Sequence, residues 1–148
     1  MKKDFASYTP LAARQMLGIG FLYHGFPKWS AGGHQGFGGL LQNIGIPLPG
    51  ITSWVVSAVE VGGALAMLAG AFVGIAGILL IIEMLVALFK VHLANGFNFV
   101  HITAMGESGP VFGMPGYEVN LLYIALILVV VLGGAGKWSV DERRAAKP

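Results

Sequence analysis

The chain has 148 residues, of which 55% are hydrophobic and only 11% charged, and its mean hydropathy is +0.74. A soluble domain carries roughly 25% charged residues, so this composition excludes most soluble enzymes and nucleic-acid binders and predicts a chain lying mostly in lipid. The net charge of +2 reads as topology, since the charges cluster in residues 1–4 and 137–148, and the lack of cysteine excludes disulfides, iron–sulfur clusters and thiolate zinc sites in this chain.

Four apolar stretches approach the length that crosses a hydrocarbon core of about 30 Å. They are Leu11–Phe26, Ile51–Ala69, Phe72–Leu93 and Val119–Ala135. The predicted fold is all-α, a single membrane-embedded antiparallel four-helix bundle over 1–148 with both termini on one side. A cleaved signal peptide is the rival reading of the first stretch. Arg14, His24 and Lys28 suit that role poorly, and no A-x-A site follows.

Between the first two helices, Phe37–Ile44 has apolar residues at helical spacing, stopped by Gly45, Pro47 and Pro49. This segment is expected to form a short interfacial helix on the membrane surface. The second and third helices meet in a tight turn at Gly70. A long Gly- and Pro-rich connection, Asn95–Gly116, leads to the fourth, and 136–148 is expected to be a basic cytoplasmic tail. Glycines inside the helices, at Gly18, Gly62, Gly63, Gly74, Gly77 and Gly133, are read as packing residues that let backbones approach.

Lys2, Lys3 and Arg14 at one end, and Lys137, Arg143, Arg144 and Lys147 at the other, predict that both tails are cytoplasmic. The two long connections then face outward, with Lys28 and Lys90 at their margins.

Charges at membrane depth carry the functional signal, because an ionised side chain at a helix centre costs about 2.5–3.5 kcal/mol even on mild scales. Counted at about 1.5 Å per residue, Glu60 and Glu83 fall at nearly one depth. Two facing carboxylates call for a shared proton or a cationic partner. Arg14, lower in the first helix, is within reach of Glu60 or of the headgroups. A second polar set gathers at the outer helix ends: Tyr23, His24, Lys28, Lys90, His92, Glu118, Asn120 and Tyr123. One inward seam from Arg14 through the glutamates to His24 and Lys90 would suit an amphipathic ligand or a proton path. Plain interfacial anchoring competes with this for Lys28, Lys90 and Glu118, and packing competes for the histidines. His34 and His101 read as loop residues with no neighbours at ligand spacing, no metal site is expected, and no catalytic residue is identified.

Arg14, Gly18, the His24–Lys28 string, Phe37–Gly45, Glu60-x-x-Gly63 before Gly70, Gly96-Phe97, Tyr117-Glu118 and Gly133–Asp141 together form a recognisable order. In these the chain resembles the DoxX family of small four-helix bacterial membrane proteins. The resemblance implies a multi-pass bacterial inner-membrane location and a redox association, since the family takes its name from a subunit of a thiosulfate:quinone oxidoreductase. Some relatives carry a Lys-Asn pair where this chain has Glu118 and Asn120.

The leading expectation is therefore a redox-associated membrane subunit that binds quinone between its helices. Tyr23, His24 and Tyr123 would contact the headgroup, and Glu60 and Glu83 would manage protons. With no flavin or nicotinamide fingerprint and no cofactor of its own, the chain would take electrons from a soluble or peripheral redox partner. Homo-oligomers are compatible with this, nucleic acid is not expected, and the lipid bilayer is the primary environment. The alternative is a non-enzymatic assembly factor or a lipid- or small-molecule-handling protein.

Overall fold

The computed structural model describes residues 6–146. Lys2, Lys3 and Lys147, which contribute to the terminal positive clusters, lie outside the described residues. Helix α1 (Thr9–Gly25) has Pro10 in its first turn, where the missing N–H would have had no helical acceptor. It tightens into a 3₁₀ turn, Phe26–Trp29. Ser30 caps α2 (Ala31–Asn43), its hydroxyl accepting from the Gly33 N–H at 3.1 Å. The expected short helix is thus longer at its start than its apolar centre suggested.

Helix α3 (Pro49–Ala69) opens on a proline and ends at Gly70 in the left-handed conformation, φ 64. Helix α4 (Val73–Ala87) continues through a π turn, Leu88–His92, and a 3₁₀ turn, Leu93–Asn95. Strands β1 (Ile102–Gly106) and β2 (Gly109–Phe112) form an antiparallel hairpin. Helix α5 (Glu118–Gly133) and the short α6 (Val140–Ala145) complete the chain. The hairpin adds two strands to the expected all-α fold, within the Asn95–Gly116 connection whose sequence reads only as Gly- and Pro-rich. Its strands are too short to show a period of two, and the Gly and Pro residues that bound them masked the signal.

Helix α1 packs on α3 and α5, α3 on α4, and α4 on α5, so the four long helices close a ring. Leu17, Phe21, Ala64, Met67, Leu80, Ile127 and Val130 fill its centre and are fully buried. A Cβ on Gly63 would come within 2.9 Å of the Leu80 side chain, and one on Gly18 would collide with Leu68. Close approach explains these glycines. Gly62 and Gly74 have no atom within 4 Å of such a Cβ, so packing within this chain does not account for them.

By length and hydropathy, α3 (21 residues) and α4 with its extension to Asn95 (23 residues) are long and apolar enough to cross a membrane. Helix α5, at 16 residues, is apolar but shorter.

The tail is folded onto the body. Both carboxylate oxygens of Asp141 accept from the start of α4, from the Phe72 N–H at 2.9 Å and the Val73 N–H at 3.1 Å. The Asp141 N–H donates to the Gly70 carbonyl at 2.9 Å, and the Lys137 N–H to the Ser7 carbonyl at 3.0 Å.

Candidate functional site

Gly25 ends α1 against the middle of α3, where a Cβ would lie 2.8 Å from the Glu60 Cβ. That approach, followed by the 3₁₀ turn, turns Lys28 inward. Its ammonium donates to the Glu60 carboxylate in a hydrogen-bonded ion pair. The Glu60 side chain is 4% exposed and that of Lys28 20%, so the pair is largely withdrawn from solvent. The Lys28 Nζ also lies 4.1 Å from the centroid of the Phe37 ring on α2.

Glu83 of α4 interacts directly with Glu60. Its Oε2 is buried without a hydrogen-bond partner among the described residues. The cluster therefore holds two carboxylates and one ammonium, and the ammonium is engaged by Glu60. An acceptor left over in a buried place takes up a proton or a donor from a ligand.

Above this cluster α2 covers the first half of α3. Ser57, fully buried one turn before Glu60, donates to the Ser53 carbonyl at 2.7 Å. The Ser53 hydroxyl lies 2.9 Å from His34 Nδ1. The His34 ring stacks on Trp54 at 4.0 Å, and Trp29 meets Trp54 edge-on at 5.6 Å. His34 is thus a helical residue, held by Ser53 and Trp54, which corrects its reading as a loop residue. Its spacing of three from Phe37 on one helix face was the available signal.

The single polar seam is not built. Arg14 is buried and uses all five donors on backbone carbonyls: Nε on Ala135, Nη1 on Met67 and Leu68, and Nη2 on Lys137 and Trp138. It ties the C-terminal ends of α3 and α5 to the tail and makes no contact with Glu60. Carbonyls at helix C-termini carry the negative end of the dipole and satisfy a guanidinium without an acid.

Lys90 is exposed. Seven residues from Glu83 would share its face in a regular helix, but the π turn over Leu88–His92 shifts the phase. Tyr23 and His24 are exposed on α1, ring against ring at 5.6 Å, and line an open groove with Ile19, Leu22, Phe26 and Pro27. They do not face the glutamates.

His92 and Glu118 hold the connection between α4 and α5. The His92 Nδ1 donates to the Pro115 carbonyl at 2.8 Å, and the Glu118 Oε2 accepts from the Phe99 N–H at 2.9 Å. Asn120 is buried with its amide 3.9 Å from the Met84 sulfur. The Tyr123 ring packs edge-on against Phe21 at 5.1 Å and over Gly20. Of the eleven candidate residues, the structure brings together Lys28, Glu60 and Glu83.

Comparison with curated proteins and with solved structures finds no match. The DoxX family profile matches residues 9–93, from the start of α1 to the extension of α4, and this span contains Lys28, Glu60 and Glu83. By that match over more than half of its length, the chain belongs to the DoxX family of membrane proteins.

Proposed function

We propose that this chain is a multi-pass protein of the bacterial inner membrane, with both tails cytoplasmic, that serves as the quinone-binding, proton-handling subunit of a redox assembly. The observation that carries the reading is the Glu83 Oε2, buried and without a hydrogen-bond partner among the described residues, beside the Lys28–Glu60 pair. An ionised Glu83 accepts a hydrogen bond from a quinol hydroxyl and then its proton. A protonated Glu83 donates to a quinone carbonyl. In quinol oxidation the two electrons pass to the redox centre of a partner protein, and the two protons leave the headgroup, one of them through Glu83.

Lipid extracts of the protein purified from its native membrane should contain quinone above the level of an unrelated membrane protein prepared alike. The enrichment should fall in Glu83→Gln, which keeps the side-chain shape. Absence of enrichment, together with no rise in melting temperature on adding quinone, overturns the reading.

The lipid-handling alternative draws on a different feature. An open groove of about 440 Å³ between α3 and α4 is lined by Val55, Ala58, Gly62, Phe72, Ile75 and Leu79, with almost no polar surface. In that case phospholipid, and not quinone, is the enriched species.

A further inference from the structure

The β1–β2 hairpin stands outside the helix ring on a fastened base. Beyond the His92 and Glu118 contacts, the Glu118 N–H donates to the Phe97 carbonyl and the Tyr117 N–H to the Gly96 carbonyl, both at 3.0 Å. The His101 Nδ1 donates to the Met114 carbonyl at 2.9 Å.

Pairing in the hairpin runs Ile102 to Phe112, Ala104 to Val111 and Met105 to Pro110, which leaves Thr103 as a bulge. In an unbroken strand Ile102 and Met105, three apart, would point to opposite faces. The extra residue restores them to one face, together with their partners Phe112 and Pro110. All four are exposed, Met105 at 76% and Phe112 at 64%. The other face carries Thr103, Ala104 and Val111, and the turn carries Glu107 and Ser108.

Two features say what covers the apolar face. Helix α5 at 16 residues spans about 24 Å, whereas α4 with its extension, at 23 residues, spans about 35 Å. The Tyr117 and Glu118 N–H groups bond to the Gly96 and Phe97 carbonyls, so the base of the hairpin sits at the junction of these two apolar helix ends. Exposed Phe89, Leu93, Leu121 and Leu122 at these helix ends continue the apolar surface toward it. Moreover, Glu107 is the only charged residue between Lys90 and Glu118. A protein-binding patch carries a polar rim, and a lipid-binding one needs none.

We propose that the Ile102, Met105, Pro110 and Phe112 face of the hairpin lies on lipid, in the headgroup–acyl boundary of the leaflet at this end of the bundle. The open strand edges then meet headgroups and water, as unpaired backbone groups require.

Because the chain lacks cysteine, single nitroxide labels test this directly. Met105→Cys, Phe112→Cys, Ala104→Cys and Glu107→Cys would be labelled in phosphatidylethanolamine/phosphatidylglycerol nanodiscs. Collision with oxygen, which partitions into lipid, is compared with collision with a water-soluble nickel chelate. The oxygen-to-nickel ratio should be several-fold higher at 105 and 112 than at 104 and 107. Nickel access at 105 and 112 equal to that at 107 overturns the proposal in favour of an aqueous face. Shielding of 105 and 112 from both reagents overturns it in favour of a protein cover, a second copy included. Pro110→Cys replaces Met105→Cys if the latter lowers the yield of folded protein.

Discussion

Lys28 reaches Glu60 from the turn that ends α1, so the cation that balances the carboxylate at the centre of α3 arrives from a different helix. The pair therefore joins the end of the first helix to the centre of the second long one, and Glu83 is the third member without a cation of its own. Losing Lys28 should cost more than losing both partners. Lys28→Met leaves buried carboxylates facing each other and should destabilise by about 3–5 kcal/mol. Adding Glu60→Gln should recover most of that loss in a double-mutant cycle read by thermal melting in detergent. Strictly additive losses would show the two residues to be uncoupled.

Glu60→Leu should destabilise more than Glu60→Gln, because it replaces the hydrogen-bond acceptor of the Lys28 ammonium by an apolar side chain in a low-dielectric site. The affected partner is Lys28 and not Arg14, so Lys28→Met should rescue Glu60→Leu whereas Arg14→Met should not. Melting temperatures of the two double variants decide this.

Arg14→Lys should not be conservative. A lysine offers three donors from one point and cannot reproduce the fork that serves five carbonyls from α3, the end of α5 and the tail. A loss of about 2–4 kcal/mol is expected from carbonyls left unpaired. Limited proteolysis should then cut the segment after Gly133 faster than in the wild type; an unchanged cleavage rate would refute the clamp.

Asp141→Ala removes the acceptor for the Phe72 and Val73 N–H groups and should cost about 1–2 kcal/mol. Hydrogen exchange at Val73 should accelerate while that at Leu80, in the buried centre, follows only the global change. Equal protection at Val73 in both proteins would show that the cap contributes nothing.

The topology proposed from the charge clusters also has a direct check. Impermeant thiol reagents added to intact cells should label a cysteine at Asn43 or Gly109 and should not label one at Ala145. Labelling of Ala145 from outside would invert the arrangement.

Composition and hydropathy alone determined that the chain is helical and belongs in a membrane, because the cost of exposing so many apolar side chains does not depend on how they pack. The helix ends near Gly45 and Gly70 were legible for a similarly local reason, since Gly and Pro act on their own backbone. Glu60 and Glu83 stood out from their depth in apolar segments, a property of sequence position. Their partners did not. Lys28 joins Glu60 only because α1 stops at Gly25 against α3, and Lys90 is lost from the site only because a π turn rotates it away. Arg14 read as a companion of the glutamates, yet the returning tail surrounds it with carbonyls contributed from 53 to 124 residues away. Local sequence specifies which groups must be satisfied. Which group satisfies them is settled by contacts between distant segments, and these exist only once the ring of helices has closed.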